Sequence, residues 1–325
     1  MHVLVTGANG FVGSAVVRRL FKSSSTHVSG AVRSVSHTEE NLIRYSSVGD
    51  IGRETVWTSA LDKVDVVIHL AARAHVLSDS TTDPLREFRR VNLEGAVRLA
   101  EQAISSGVKR FVFISSIGVN GSITKGLAFT ECSAPEPHAP YAQSKYEAEE
   151  ALKEVISSSD MELVIIRPPL VFAANAPGNF LRLLKLVACG VPLPLGSVRN
   201  CRSMIALENL VDFIVTCTRH PAAANETFLI SDNEDLSISE ITRLLAKGMH
   251  KKNVLLPVPA SLLRIGAKLI GKENLFTQLC CSLQIDSSKS RALLKWSAPV
   301  SAHTALVEAG ESYQRANGKQ RLPSS

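Results

Sequence analysis

The chain has 325 residues, of which 45% are hydrophobic and 20% charged, with a formal net charge of +6. That is enough apolar material for a full α/β core, and no apolar run reaches the roughly 20 residues a bilayer-spanning helix needs. The six cysteines (Cys132, Cys189, Cys201, Cys217, Cys280, Cys281) lack CxxC spacing and the density of a small secreted framework, so reduced thiols and a cytoplasmic location are expected. Basic residues are dispersed, the longest cluster being His250-Lys251-Lys252, which argues against a nucleic-acid partner and suits an anionic small substrate.

His2 to Thr6 reads as a short buried strand starting almost at Met1, so no signal peptide is expected. Phe11 to Phe21, with apolar Phe11, Val12, Ala15, Val16 and Leu20, has the period of a following helix. Gly7 and Gly10 lie between them, and Gly13 falls in the first helical turn. Such a turn must be tight, must admit a phosphate to its N–H groups, and must bring helix and strand close. Glycine meets all three demands, and the helix N-terminus adds a positive dipole end. The spacing is GxxGxxG rather than GxGxxG, so a dinucleotide pyrophosphate pocket is indicated while an ordinary glycine-rich turn stays open.

Val28 to Val32 reads as the second strand and ends at Arg33, twenty residues after Gly13. An acid at this point accepts the ribose 2′-OH of NAD, whereas an Arg suits the 2′-phosphate of NADP. Arg33 and Ser34, with no acid in that stretch, favour NADP(H); NAD(H) and a merely solvated Arg remain the other options. Asp50 and Ile51, on a later loop, are candidates to bracket the adenine. Val64 to Leu70 reads as a buried strand, and Ala71-Ala72 at its end leaves room for a cofactor. Pro84 to Gly107 has helical periodicity opened by Pro and closed by Gly. Arg110 to Ser115 is the next strand, Tyr141 to Ser157 a helix and Leu163 to Ile166 a further strand. Apolar strands alternating with helices predict a doubly wound α/β fold, a parallel sheet covered on both faces. After Arg167-Pro168-Pro169 the pattern shifts to loops and shorter helices at 180–189, 208–220 and 239–250. The expected division is a dinucleotide-binding domain over 1–170, its sheet completed by later segments, a smaller, mostly helical substrate domain over 171–316, and a flexible tail over 317–325.

Tyr141 and Lys145 lie four apart and share one helix face. A phenol with a pKa near 10 is a poor acid–base at neutral pH; an adjacent ammonium and a cationic nicotinamide would lower it. YxxxK is a common pattern by itself, and Lys145 could instead pair with Glu149. Context adds weight, because Ser115-Ser116 ends the preceding strand at the carboxyl edge where open α/β sheets bind ligands. His69, inside a strand, reads as a core residue, and His75, just past HLAA, is a candidate to line a substrate pocket. No His/Cys/Asp cluster has metal spacing, so no metal is expected.

In order along the chain, TGANGFVG at 6–13, HLAA at 69–72, Asn92 of VNLEG, FISS at 113–116, YAQSK at 141–145 and RPPLV at 167–171 resemble the extended short-chain dehydrogenases/reductases. The nearest branch is the nucleotide-sugar epimerase, dehydratase and reductase group, and the resemblance runs from residue 1 to about 315. It implies a Rossmann-type domain carrying a C-terminal sugar-nucleotide domain. It also implies a cofactor site made by Gly7, Asn9, Gly10, Phe11, Val12, Gly13, Arg33, Asp50, Ile51, Leu70, Ala71, Ala72, Asn92, Tyr141, Lys145 and Pro168. Tyr141 would be the acid–base, Lys145 would bind the nicotinamide ribose and tune Tyr141, and Ser116 would hydrogen-bond the reacting sugar oxygen. Asn179 of GNF resembles a nucleotide-contacting Asn, and Arg202 of CRSMIALENL a diphosphate-binding Arg. On the residues alone, Asn179 could cap a helix and Arg202 could be a surface charge.

Dehydratases of the group carry an Asp-Glu pair beside the catalytic hydroxyl, whereas Ile117-Gly118 follows Ser116 here, which argues against dehydration. GVPLPLGSVRNCRSMIALENLVDFI and PVPASLLRIGAKLIGK are similar to bacterial reductases that make UDP-N-acetylquinovosamine or UDP-N-acetylfucosamine for O-antigen and other surface polysaccharides. A reductase exchanges its cofactor at each turnover, so Arg33 favours it. The expectation is therefore NADPH-dependent reduction of a UDP-4-keto-6-deoxy-N-acetylhexosamine. An NAD-dependent UDP-hexose or UDP-N-acetylhexosamine 4-epimerase is the alternative, and a non-catalytic NADP(H)-binding regulator a third reading. Asn120 stands in place of the Tyr of a VYG triplet, and Phe172-Ala173-Ala174-Asn175 replaces YGPG, which would reshape the wall near the sugar. Relatives form a four-helix interface from the helices at 84–107 and 141–157, so a homodimer is expected.

Overall fold

Strands that are apolar on both sides need cover on both sides, and the computed structural model supplies it; residues 1–35, 43–74 and 83–319 are described. Among these residues the main sheet has seven parallel strands. They are β1 (His2–Thr6), β2 (His27–Val32), β3 (Arg44–Ser47), β4 (Val66–His69), β5 (Arg110–Ile114), β6 (Glu162–Arg167) and, later in the chain, β9 (Thr227–Leu229). Their spatial order is β3-β2-β1-β4-β5-β6-β9. β7 (Leu170–Phe172) and β8 (Met204–Ala206) form a separate parallel pair. Because the chain leaves β1 first toward β2 and then crosses to β4, a crevice opens at the carboxyl ends of β1 and β4.

Alternation along each strand sorts the core into two layers. Val3 and Val5 of β1 pack with Val16 and Leu20 of helix Phe11–Phe21 and with Phe213 and Ile214 of helix Leu207–Cys217. Leu4 faces the other way, toward Trp57, Leu99 of helix Gly95–Ser105, and Leu152 and Ile156 of helix Pro140–Ser157. Residues from beyond 170 thus enter the first layer, while Phe180, Leu184, Leu245 and Leu306 gather in a third cluster.

The helix expected over 84–107 is observed as Pro84–Arg89, a π-helical turn Arg90–Glu94, and Gly95–Ser105. Pro84 sits in its first turn and the Asp83 side chain accepts from the Arg86 N–H at 3.1 Å, a capped start. The π turn carries Asn92 into the interior. β3, β7, β8 and β9 were not distinguishable in the sequence, since three or four residues show no periodicity. Helix Ala302–Lys319 runs through the boundary expected at 317, anchored upstream of it by Leu306, Ala309 and Tyr313, and residues 320–325 lie outside the described residues. No described helix is long and apolar enough to cross a membrane.

Candidate active site

A cleft of about 650 Å³ opens at the carboxyl ends of β1, β2 and β4, and Gly7, Asn9, Gly10, Arg33, Asp50, Ile51, Leu70, Ala71 and Ala72 line it. Gly7 takes a left-handed φ of 63°, and a Cβ there would sit 3.0 Å from Ala71 Cα. A Cβ on Gly13 would fall 2.0 Å from the Gly7 carbonyl oxygen, so no larger residue lets the helix rest on the turn. Gly10 gives this helix no side-chain cap, and the first helical hydrogen bond runs from Ser14 N–H to Gly10 O at 3.0 Å. The N–H groups of Phe11, Val12 and Gly13 therefore lack helical acceptors and can receive an anion. A glycine cradle under an uncapped helix start fits a dinucleotide pyrophosphate.

Arg33 and Asp50 meet at the rim of this cleft, Nε to Oδ1 2.9 Å, with both side chains largely exposed. So exposed a pair is weak, leaving Arg33 able to turn to another anion, while Asp50 sets a negative charge beside it at this rim. The sequence reading missed Arg73 and Arg90, which also line the cleft. Their only signal was position, one just after HLAA and the other two residues before Asn92. Asn92 itself does not line the cleft. Its buried side chain accepts from Arg73 N–H at 2.8 Å and donates to Arg73 O and to Ser144 Oγ, holding the wall from behind.

Three candidate groups lie on elements that pack together after β5. Ser116 follows the strand in extended conformation and its Oγ accepts from Gly118 N–H at 3.1 Å. Tyr141 lies in the first turn of helix Pro140–Ser157, edge-on to Phe88 at 6.0 Å. Lys145, one turn on, is buried with Nζ 4.2 Å from the centre of the Phe113 ring. A Cβ on Gly118 would stand 3.2 Å from Ala142 Cβ, so the turn carrying Ser116 rests on the helix carrying Tyr141 and Lys145. Pro168 closes the base, its carbonyl accepting from Ile117 N–H at 3.0 Å.

Burial pushes the Tyr141 phenol up to about 12 and the Lys145 ammonium down to about 7, the latter opposed by the charge of Glu149. The expected lowering of the phenol calls on the Lys145 ammonium and a cationic nicotinamide together, and burial acts against it. The ammonium meant to lower the phenol is itself desolvated and partly neutral at pH 7. Glu149 is taken by Arg167 instead: Arg167 Nε donates to both carboxylate oxygens at 3.0 and 3.1 Å, and no Lys145–Glu149 ion pair occurs. Ser115 Oγ also donates to Glu149, and Arg167 Nη1 donates to Asn120 Oδ1 at 3.0 Å. This buried network, which spacing alone did not suggest, fixes the helix to the ends of β5 and β6.

His69 is a core residue. Thr6 Oγ1 accepts from the Leu70 and Ala71 N–H groups at 3.2 and 3.1 Å, so its own hydrogen goes to His69 Nδ1 at 2.8 Å. The ring is neutral, its pKa driven down to about 3 by burial and then by the charge of Lys145. His75 lies outside the described residues. Among the described residues no group of His, Cys, Asp and Glu has the arrangement of a metal site. Farther along, Gly178 occupies the cap position and Asn179 is the first residue of helix Asn179–Ala188, without a side-chain cap bond. Arg202 is not a free surface charge: it is largely withdrawn from solvent, its pKa is lowered by burial, and Nη1 donates to Cys281 O at 2.9 Å. Ser116, Tyr141, Lys145, Asn179 and Arg202 do not line the glycine cleft.

Fold and cleft together define a Rossmann-type dinucleotide-binding protein. The sequence profile of the NAD dependent epimerase/dehydratase family matches residues 3–231. A UDP-glucose 4-epimerase from Vibrio cholerae is 42% identical over 319 residues, 98% of this chain and 97% of its own. An N-acetyl-alpha-D-glucosaminyl-diphospho-ditrans,octacis-undecaprenol 4-epimerase from Escherichia coli O157:H7 is 28% identical, covering 89% of this chain and 88% of its own. Among solved structures, UDP-glucuronic acid 4-epimerase from Bacillus cereus, in complex with UDP-glucuronic acid and NAD, shares the fold with a TM-score of 0.78 at 23% identity, over 98% of this chain and 100% of that one. The chain belongs to the NAD dependent epimerase/dehydratase family and is an NAD(P)-dependent enzyme.

Proposed function

We propose that the protein interconverts the C4 epimers of a UDP-linked hexose or N-acetylhexosamine with a resident NAD(H). The observation that carries this reading is the 42% identity with the Vibrio cholerae UDP-glucose 4-epimerase across 98% of the chain. The bound nicotinamide supplies a reversible hydride store for C4. Tyr141 Oη takes the proton of the C4 hydroxyl as the ketone forms and returns it afterwards. Ser116 Oγ accepts from Gly118 N–H, which leaves its own hydrogen to donate to the same sugar oxygen. Lys145 would hold the ribose side of the site, and its charge with that of an oxidised nicotinamide would oppose the burial that raises the phenol. Arg202 has N–H donors beyond the one given to Cys281, and a half-buried guanidinium favours an anion, here the sugar diphosphate. Asn179 contacts the uridine. With Ile117-Gly118 after Ser116, the site lacks the extra carboxylates that dehydration needs there.

A second reading, NADPH-dependent reduction of a UDP-4-keto-6-deoxy-N-acetylhexosamine, is favoured by Arg33 at the end of β2, and Asp50 weighs against it by setting a negative charge beside that residue. One experiment separates them. Protein incubated with UDP-glucose or UDP-N-acetylglucosamine should yield the galacto epimer with no net consumption of nicotinamide. Stoichiometric loss of NADPH absorbance with the 4-keto sugar, and no epimer from the hexoses, would establish the reductase instead.

A further inference from the structure

Helices Ala260–Leu269 and Glu273–Cys280 contain no fully buried residue, although the first carries Leu262, Leu263, Ile265 and Leu269 and the second Leu275, Phe276 and Leu279. In the first helix Leu263 turns inward and joins the C-terminal core. Leu262, Ile265 and Leu269 recur at i, i+3 and i+7 on another side, one continuous stripe. They are 57%, 57% and 82% exposed, and Ile270 beyond them is 70% exposed. Single exposed leucines need no explanation, but an apolar stripe on the side away from the core does.

Charge supplies the second observation. From residue 247 to 280 the chain carries Lys247, Lys251, Lys252, Arg264, Lys268 and Lys272 against a single acid, Glu273. On the helix Lys268 falls about 60° from Ile265, on the flank of the stripe, and Arg264 about 100° from it on the same side; both are exposed. Two of these cations, Arg264 and Lys268, share the exposed helix with the apolar stripe, and Glu273 is the one acid of the hairpin. An anionic bilayer matches both features, taking the side chains among its acyl chains and the cations at its phosphates.

We propose that the hairpin 260–280 docks the protein on an anionic phospholipid surface, with Leu262, Ile265 and Leu269 entering the headgroup boundary and Arg264, Lys268 and Lys272 pairing with lipid phosphates. The inference is independent of which C4 reaction the enzyme catalyses. Cys281, directly after the hairpin, accepts the hydrogen bond from Arg202, so docking joins the lipid surface to that residue's wall of the molecule.

The test is co-sedimentation of the full chain with phosphatidylglycerol/phosphatidylethanolamine vesicles and with neutral phosphatidylcholine vesicles. Binding to the anionic vesicles, weak binding to neutral ones, and loss with added salt are expected. Leu262→Gln/Ile265→Gln/Leu269→Gln should abolish binding. Arg264→Gln/Lys268→Gln/Lys272→Gln should lower partitioning about a hundredfold, at about fivefold per charge. The charge variant decides alone if the apolar variant does not fold. No uptake by anionic vesicles, or undiminished uptake by the variants, would overturn the proposal. So would an apolar variant that changes oligomeric state in sedimentation velocity while vesicles bind neither form, because the stripe would then belong to a second copy of the chain.

Discussion

Burial holds the Lys145 ammonium down to about 7, below its ordinary value of 10.5. Between these two values the unfolded chain binds a proton that the folded chain has released, so stability rises with pH across that window. The contribution is complete above 10.5 and is lost as pH falls through about 7, at up to about 1.4 kcal/mol per unit. Wild type should therefore gain stability relative to Lys145→Met from pH 7 to 10.5 in urea titrations. A constant difference would show that Lys145 keeps an ordinary pKa in the fold. Tyr141 is raised by the same burial, and its hydroxyl is the proposed proton carrier. Tyr141→Phe should lose about 10²- to 10⁴-fold in turnover while still binding nicotinamide nucleotide; full turnover would remove Tyr141 from the mechanism. The i, i+4 placement of these two side chains was legible in YAQSK, because helix geometry is local. Their shifts were not, because desolvation depends on Phe88 and Phe113, which come from distant segments.

Helix Pro140–Ser157 holds its place through Glu149 and Arg167, a pair at most 5% exposed. An ion pair so deeply buried contributes little net stability, but removing one partner strands the other charge. Glu149→Gln should cost about 3 kcal/mol in denaturant unfolding. It should also lower turnover more than it weakens cofactor binding, since Ser115, beside Ser116, would then donate to a neutral amide instead of a carboxylate. An unchanged unfolding midpoint would show that Arg167 finds another anion. The strands and long helices of the first half were readable from apolar periodicity. β3 and β9 were not, because strands of four and three residues exist only through their pairing with β2 and β6.

The glycine turn, β4 and the loop at Asp50–Ile51 converge on one cleft only after the sheet has formed, so the cofactor binds the folded chain alone. Nicotinamide nucleotide at a hundred times its Kd should raise stability by about 2.7 kcal/mol. Thermal melts with NAD and with NADP measure this, and the nucleotide giving the larger shift is the preferred cofactor. With protein first stripped of bound nucleotide, no shift with either would exclude the cleft as a dinucleotide site. Arg33 shows why preference was not legible earlier. Spacing from Gly13 places it at the end of β2, but its acidic partner Asp50 arrives from a loop seventeen residues later.

The sequence by itself determined whatever depends on neighbours along the chain: the strand–turn–helix that only glycines permit, the shared face of Tyr141 and Lys145, and a parallel sheet with two covered faces. Backbone sterics and side-chain periodicity act over a few residues, so such features survive without knowledge of the whole. The tertiary structure alone decided which charges are buried, which are paired, and which apolar side chains stay in water. Lys145 over Phe113, Arg167 on Glu149, Asp50 against Arg33 and the open stripe at Leu262–Leu269 each follow from distant segments brought into contact or left apart. Burial and charge energies depend on that full surrounding rather than on order along the chain.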